Sequence, residues 1–279
     1  MEFEGVGGVA IAASVFGPED GAPVLMVGGL GQTRHSWHRA AERIASGGRR
    51  AITVDLRGHG DSGWSADGDY GYHRTAGDMA CVARALGRPV TYVGASLGGK
   101  IGLVAAAEHG SDVFAGLVIV DSVPPTNPAG VAEVTQVLRP PPEGFVSLDA
   151  AAAELARLRG APTPPPGSGE RLRRNMRQDS RGYWHWHWDP AWMDREQGIG
   201  MAAATEFLDA CAEKLTMPTL LTRGEKSNVV TEPGLAEFRA RVPQLEVETI
   251  AGASHMIVGD ANDAFAAAVT AFLDRTPGL

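Results

Sequence analysis

Short apolar runs typical of buried β-strands recur along the chain, and helical patterns separate them. Because strands that alternate with helices form βαβ units, this alternation predicts an α/β fold with a mostly parallel sheet. The helical patterns cover 73–86, 97–108, 232–241 and 262–274. The strand-like runs cover 8–17, 23–29, 51–58, 90–96, 114–121, 217–224 and 244–252. With 279 residues, 44% of them hydrophobic, the chain is long enough to bury these runs in one core.

The strand pattern is interrupted after Asp121. Proline-rich stretches, among them "RPPPEG" and "APTPPPGSGE", follow it and alternate with short helical patterns. Because proline breaks both helices and central strands, this part of the chain is predicted to form loops and helices rather than more sheet. The helical patterns lie near 129–139, 147–159 and 199–213. We therefore predict a core made of 1–121 and 216–279, with a helical cap, or lid, at 122–215.

The charge balance and the N-terminus argue against several kinds of partner. The chain has 25 Lys and Arg against 33 Asp and Glu, a net charge of −8, and no basic run that would bind nucleic acid or an anionic membrane. The N-terminus lacks the basic region and cleavage site of a signal peptide, and no apolar run approaches the roughly 18 residues that span a bilayer. We therefore expect a soluble, cytoplasmic protein, a monomer or a homodimer, that acts on a small molecule.

The cysteines give no sign of a disulfide framework or of a metal site. Only Cys81 and Cys211 are present, and no cluster of Cys and His has the spacing of zinc ligands. Both are predicted to be reduced, packed thiols. We expect no metal and no cofactor.

A candidate nucleophile lies between the run at 90–96 and the helical pattern that follows it. Gly94-Ala95-Ser96-Leu97-Gly98 fits G-x-S-x-G, and a buried strand before it and a helix after it are the context that this motif requires. A sharp turn from strand to helix needs small residues two before and two after the serine, because the backbones pass closely there. The helix N-terminus also presents an unpaired N–H group to a developing negative charge.

Four motifs in the same order resemble those of the α/β-hydrolase superfamily, over nearly the whole chain. Besides the serine motif, "GGLGQTRHSW" at 28–37 looks like the family's oxyanion loop after the third strand. "DLRGHGDS" at 55–62 looks like its turn after the fourth strand, and "AGASHM" at 251–256 looks like its histidine loop after the last strand. The resemblance implies an α/β-hydrolase fold, a mostly parallel eight-stranded sheet flanked by helices, with a helical cap inserted after the sixth strand.

The resemblance assigns the general base to one of the eight histidines, His255, in the loop after the last strand. We interpret His35, His38 and His59 as structural or pocket-lining residues, because they lie in or after the other motifs. His109 ends the helix after the nucleophile, where a cation suits the helix dipole.

For the oxyanion hole, the resemblance implies the backbone N–H groups of Leu30 and Leu97. Each such donor contributes roughly 10²–10³ to the rate. The chain departs from the family at Gly28, where relatives usually carry a histidine that holds the loop. We expect this change to loosen the loop without abolishing the chemistry.

Two residues compete for the role of the triad acid. In relatives an aspartate follows the seventh strand, but "RGEKSNVV" at 223–230 carries Asn228 at that position. Converting a triad carboxylate to an amide costs roughly 10⁴ in kcat. Asp121, at the end of the sixth strand, resembles the acid of a subset of the superfamily, and the order Ser96, Asp121, His255 fits the family. Asp121 is either this acid or a cap of the turn that follows it.

Tryptophans alternate with histidines in "YWHWHWDPAW" at 183–192. On an extended segment Trp184, Trp186 and Trp188 share one face, and His185 and His187 lie on the other. The tryptophans either form an aromatic wall over the site or pin the cap to the core. The two histidines suggest a metal site, but no third ligand is evident, so we do not predict one.

The serine predicts acyl transfer, because this residue at the turn attacks a carbonyl carbon. We predict a hydrolase of a small apolar or aromatic ester, thioester or lactone that acts through an acyl-enzyme on Ser96. Trp37, just after the oxyanion loop, is predicted to line the substrate pocket together with Trp184 and Trp186. The departures at Gly28 and Asn228 together also motivate an alternative, an acyltransferase, lyase or cyclase that uses the same site. A ligand-binding pseudoenzyme is a third hypothesis.

Overall fold

A central sheet of eight strands organises the part of the chain that the structure describes. The structure is a computed structural model, and it describes residues 1–124, 127–136, 138, 141, 143–158, 160–193, 201–255, 257–260, 262–276 and 278–279. The strands, in chain order, are β1 (Glu2–Glu4), β2 (Ala10–Phe16), β3 (Pro23–Val27), β4 (Arg50–Val54), β5 (Val90–Ala95), β6 (Phe114–Val120), β7 (Met176–Gln178), β8 (Trp184–Trp186), β9 (Thr219–Gly224) and β10 (Leu245–Ile250). Strands β7 and β8 form a separate two-stranded sheet.

The large sheet is parallel except at one edge. Its order is β1-β2-β4-β3-β5-β6-β9-β10, and only the β1–β2 and β2–β4 pairs among these described strands are antiparallel. The fold is therefore the predicted α/β-hydrolase fold with a mostly parallel eight-stranded sheet. Because the carboxyl ends of parallel strands meet at one edge of the sheet, the loops that follow β3, β5, β6, β9 and β10 lie near one another.

Helices cover both faces of the sheet, as the long apolar runs predict. The helices are α1 (His38–Ser46), α2 (Tyr72–Ala85), α3 (Leu97–His109), α4 (Pro128–Gln136), α5 (Leu148–Leu158), α6 (Met201–Ala212), α7 (Glu232–Arg241), α8 (Ile257–Asp260) and α9 (Asn262–Arg275). None of the helices in the described ranges combines the length and the apolar character that a membrane span needs.

Strand β3 shows how the core is divided. Leu25 and Val27 belong to a buried cluster with residues of α2 and α3, whereas Val24 and Met26 belong to a second cluster with residues of α1 and α9. Consecutive side chains of a strand point to opposite faces, so both faces of β3 are buried. This burial fixes the ends of the central strands, from which the candidate site is built.

The chain between β6 and β9 contains α4, α5 and α6, close to the helical patterns predicted there. It also contains the antiparallel pair of β7 and β8, which was not predicted. The period-2 alternation of tryptophan and histidine is a strand pattern, and Trp184 and Trp186 occupy the two ends of β8. A small apolar cluster forms around this pair. It comprises Phe145, Leu148, Ala151, Met176, Trp186 and Trp188.

Candidate active site

Ser96 occupies a strained turn between β5 and α3. Its φ is 49° and its ψ is −112°, a conformation that non-glycine residues rarely adopt and that is found where function requires it. A Cβ added to Gly94 would lie 2.3 Å from the carbonyl oxygen of Gly98, and one added to Gly98 would lie 2.5 Å from that of Val27. Only glycine fits at both positions, which is the steric reason for the motif.

His255 lies beside Ser96, in the loop after β10. Its Nε2 is 3.2 Å from the Oγ of Ser96, which is within hydrogen-bond reach. Its side chain is nearly buried, with 9% of its surface exposed. The serine and the histidine are therefore in position for proton transfer.

Asp121 faces the other nitrogen of the same imidazole ring. Its Oδ2 is 2.7 Å from Nδ1 of His255, and its side chain is fully buried. Oδ1 accepts a hydrogen bond from the N–H of Gly224 at 3.0 Å, and Oδ2 accepts one from the hydroxyl of Ser227 at 2.5 Å. Because the carboxylate faces Nδ1, it favours the tautomer with the proton there, which leaves Nε2 free to accept the proton of Ser96.

Asn228 does not reach His255. Its side chain is exposed, and its Nδ2 donates to Oε2 of Glu133 on α4 at 2.5 Å. Its backbone carbonyl accepts a hydrogen bond from Nδ2 of Asn127 at 2.8 Å. Of the two candidates for the triad acid, the structure therefore brings Asp121 to the histidine and directs Asn228 towards the segment after β6.

The loop after β3 passes next to the nucleophile. A Cβ added to Gly29 would lie 3.2 Å from the Cβ of Ser96. The loop makes a turn in which the N–H of Gln32 donates to the carbonyl of Gly29 at 3.1 Å, and Gly31 has a φ of 78°, which favours glycine. Among the described residues, no acceptor pairs with the N–H of Leu30 or of Leu97. Both N–H groups are thus free of a hydrogen-bond acceptor within this part of the chain.

The family model described as the alpha/beta hydrolase fold matches residues 22–261. The chain belongs to the α/β-hydrolase fold family. It is 31% identical over 280 residues to the esterase Rv0045c of Mycobacterium tuberculosis, covering 98% of this chain and 89% of the relative. It is 27% identical over 278 residues to the sn-1-specific diacylglycerol lipase ABHD11 of Mus musculus, covering 90% and 80%.

Solved structures give the same fold. The crystal structure of E-2-(acetamidomethylene)succinate hydrolase superimposes with a TM-score of 0.79 at 24% identity, covering 98% of both chains. A structure of the Mycobacterium tuberculosis esterase superimposes with a TM-score of 0.71 at 29% identity, covering 98% of this chain and 92% of that one. The match to the family and to proteins named as an esterase, a lipase and a hydrolase identifies the chain as a hydrolase enzyme of the α/β-hydrolase type.

Trp37 of this α/β-hydrolase lies in the core. Its side chain has no exposed surface and packs against Phe265 of α9, with 5.8 Å between the ring centroids. It belongs to the buried cluster that contains residues of α1 and α9. The prediction that Trp37 lines the substrate pocket does not fit this burial, because a pocket residue needs a surface that a substrate can reach.

Trp184 and Trp186 of the α/β-hydrolase pack within the segment between β6 and β9. The ring of Trp186 stacks on that of Trp188, with 5.1 Å between the centroids, and the guanidinium of Arg173 lies 5.0 Å from the centroid of Trp184. Trp188 instead reaches the loop after β3, since a Cβ added to Gly31 would lie 3.0 Å from its Cζ3. Of the three tryptophans predicted to share one face, Trp188 is thus the one beside this loop, whereas the pocket prediction named Trp184 and Trp186.

His187 of the α/β-hydrolase also contacts this loop. It is 2% exposed, its Nδ1 accepts a hydrogen bond from the N–H of Gly60 at 2.8 Å, and its Nε2 lies 3.2 Å from the carbonyl oxygen of Gly31. Its partner His185 turns the other way and contacts Asp179. Within the described residues, no group of three or more His, Cys, Asp or Glu side chains could hold a metal ion.

We expect the stability of this α/β-hydrolase to fall as the pH drops below about 6.5, the value for an unperturbed histidine. Burial lowers the pKa of His187, against the opposing effect of Asp55 and Asp61. The other groups that face it are Arg177 and His59. The unfolded chain therefore binds a proton at His187 before the folded chain does, so the stability is present above this pH and lost below it.

Urea unfolding between about pH 7.5 and about pH 5.5 measures this effect. The loss of stability is expected to be smaller in His187→Gln, which carries no titrating group, and unchanged in His35→Gln, whose imidazole is exposed. If the free energy of unfolding changes with pH equally in wild type and in His187→Gln, the expectation is contradicted.

Proposed function

We propose that the protein is a serine hydrolase of the esterase type, with Ser96 as nucleophile, His255 as general base and Asp121 as the carboxylate that orients the histidine. The observation that carries the proposal is the continuous chain of contacts from Ser96 Oγ to His255 Nε2 at 3.2 Å and from His255 Nδ1 to Asp121 Oδ2 at 2.7 Å. The strained conformation of Ser96 and the match to the α/β-hydrolase fold family support it.

The proposed reaction has two halves. His255 removes the proton of Ser96, and Oγ attacks the substrate carbonyl while the N–H groups of Leu30 and Leu97 stabilise the negative oxygen. His255 then gives the proton to the leaving alcohol or thiol, and an acyl-enzyme remains. In the second half, His255 removes a proton from water, the hydroxide attacks the acyl carbonyl, and the acid leaves as Ser96 regains its proton.

The proposed substrate is a small ester, thioester or lactone with an apolar or aromatic part. The relatives named as an esterase and as a diacylglycerol lipase support the ester class. Apolar side chains of Leu138 and Trp188 lie against Gly31 of the oxyanion loop, and both belong to the segment between β6 and β9. We infer that residues 122–215 act as a cap over the site and that the apolar surface of this cap selects the substrate.

The hypothesis of an acyltransferase, lyase or cyclase is motivated by the departures at Asn228 and Gly28, of which Asn228 bears on the triad acid. Because Asp121 supplies a carboxylate to His255, the amide at Asn228 gives no separate support to a reaction other than hydrolysis. Hydrolysis is therefore the single function that we propose.

A fluorophosphonate probe tests the proposal. Wild-type protein should be labelled, and mass spectrometry of its peptides should locate the label on Ser96, because a phosphonate reacts with an activated serine. Ser96→Ala should not be labelled. Ser36→Ala changes an exposed serine just after the loop that follows β3, and it should be labelled at the wild-type rate. Folded wild-type protein that neither takes the label nor hydrolyses p-nitrophenyl butyrate would overturn the proposal.

A further inference from the structure

Two histidines from different parts of the chain hold the same glycine of the oxyanion loop. The N–H of Gly31 donates to Nε2 of His59 at 3.0 Å. The carbonyl oxygen of Gly31 lies 3.2 Å from Nε2 of His187. His59 belongs to the loop after β4, and His187 follows β8, so the core and the proposed cap each contribute one contact.

The protonation of both rings follows from their partners. A backbone N–H can only donate, so Nδ1 of His187 accepts from Gly60, and its Nε2 carries the proton that bonds to the carbonyl of Gly31. By the same argument, Nε2 of His59 accepts from Gly31, and its Nδ1 carries a proton directed at the carbonyl of Arg57, 3.3 Å away. Both histidines therefore act as neutral hydrogen-bonding groups here, each with one donor and one acceptor.

The remaining peptides around Leu30 are held as well. The N–H of Gly29 donates to Oε1 of Gln32 at 2.7 Å, and the carbonyl of Gly29 accepts from the N–H of Gln32 at 3.1 Å. The bond from Gln32 fixes the Gly29–Leu30 peptide and the bond to His59 fixes the Leu30–Gly31 peptide, while the other two bonds hold the next peptide on each side. Among the described residues, the N–H of Leu30 is the group in this turn that is left without an acceptor. These bonds hold the loop without the histidine that the family resemblance implies at the position of Gly28.

The segment that carries His187 is seated on the core by further contacts. The N–H of Asp189 donates to the carbonyl of Gly58 at 2.8 Å, and the hydroxyl of Tyr70 donates to its carboxylate at 2.5 Å. The indole N–H of Trp192 donates to the carbonyl of Arg57 at 3.0 Å. We call residues 187–192 the docking segment. Its anchors lie in the same loop as Gly60, so the position of His187 relative to Gly31 is set by this seating.

We infer that His187 and His59 are positioning residues for the oxyanion hole: His59 fixes the Leu30–Gly31 peptide and His187 fixes the Gly31–Gln32 peptide. Together they aim the N–H of Leu30, so that the hole is complete only when the docking segment is seated. This inference rests on the proposed function, since it needs Ser96 to attack a carbonyl. It adds that the cap takes part in the stabilisation of the oxyanion and does more than shape the pocket.

Two substitutions of His187 separate this role from a general loss of contacts. In His187→Asn, the side-chain oxygen replaces Nδ1 and keeps the bond to Gly60, but the bond to Gly31 is lost. In His187→Gln, the side-chain nitrogen replaces Nε2 and keeps the bond to Gly31, but the bond to Gly60 is lost. Each variant removes one hydrogen bond, so a purely structural role predicts similar effects for both. The control is His185→Asn, which changes the neighbouring histidine of β8 that contacts Asp179 instead.

We expect His187→Asn to lower kcat for a p-nitrophenyl ester by about 10- to 100-fold with little change in KM, because a misplaced donor loses part of the roughly 10²–10³ that an oxyanion contact contributes. The kcat of His187→Gln should stay within about threefold of the wild-type value, and so should the kcat of His185→Asn. The affinity for an alkyl trifluoromethyl ketone should fall in His187→Asn by the same factor as kcat. Ser96 adds to this ketone, His255 takes the serine proton, and the oxyanion then occupies the hole.

The outcomes separate the two proposals. If wild-type protein neither hydrolyses the ester nor binds the ketone, the proposed function fails. If wild type does both and His187→Asn keeps the wild-type kcat and ketone affinity, the positioning role is overturned, as it is if the two His187 variants lose activity equally. If His187→Asn does not fold, His59→Asn decides in its place, because it withdraws the acceptor from the N–H of Gly31 while His59→Gln retains one. Equal ketone affinity in wild type and folded His59→Asn overturns the inference.

Discussion

Replacing Asp121 with asparagine is expected to lower kcat by about 10⁴, the loss that the same change causes at the triad of a serine protease. Three donors surround the carboxylate: the N–H of Gly224, the hydroxyl of Ser227 and Nδ1 of His255. An amide nitrogen cannot accept from any of them. The NH₂ group therefore faces one of these donors, and when it faces His255 it imposes the tautomer that cannot take the proton of Ser96.

The measurement is kcat for a p-nitrophenyl ester. Asn228→Ala is the matched control and should stay near the wild-type value, because Asn228 contacts Glu133 and lies outside the hydrogen-bond chain of Ser96. Asn228→Asp should likewise not raise kcat. If Asp121→Asn keeps its turnover while Asn228→Asp raises turnover steeply, then Asp121 is not the triad acid and the site is attenuated in the native protein.

Replacing His255 with alanine is expected to lower kcat by about 10⁶, the order of loss that follows removal of the histidine from a serine protease triad. Without this ring no base lies within hydrogen-bond distance of Ser96 Oγ among the residues that the structure describes. Turnover then depends on the small fraction of serine that ionises unaided. The oxyanion donors are unchanged, so a residual rate above that of water should persist.

Two measurements check the His255 prediction. The rate of fluorophosphonate labelling should fall in parallel with kcat, because both reactions require the activated serine. The control His73→Ala removes an exposed histidine, with 75% of its side-chain surface accessible, that pairs with Glu108 at a distance from the site, and it should leave both rates unchanged. A loss of less than tenfold in His255→Ala would mean that another group removes the proton.

Much of the fold could be predicted because the central strands are buried on both faces. Such strands are continuous apolar runs, and the run at 114–121 corresponds to β6 at Phe114–Val120. Strand β1 was missed because three residues, "EFE", are too short to show an alternation. The pair of β7 and β8 was missed because prolines around it favoured loops, although the alternation at 184–186 is a strand pattern.

Some residues of the candidate site can be predicted from their neighbours in the sequence, and others depend on contacts between distant parts of the chain. Ser96 and His255 lie in motifs whose neighbours along the chain identify them. The choice between Asp121 and Asn228 depends on which strand end faces the histidine, and local sequence does not report that distance. The sequence neighbours of His187 suggest a metal site, but its two ring nitrogens contact Gly60 and Gly31, and Gly31 lies 156 residues earlier in the chain.

The two edges of the large sheet share one chemical property. At one edge, β1 carries Glu2 and Glu4; at the other, β10 carries Glu248 and also Glu246, which pairs with Arg275. A second copy that extended the sheet at either edge would bring carboxylates of both molecules together, and such repulsion is a common protection of open strand edges. The glutamates at both edges therefore disfavour a sheet that continues from one copy of the chain into the next.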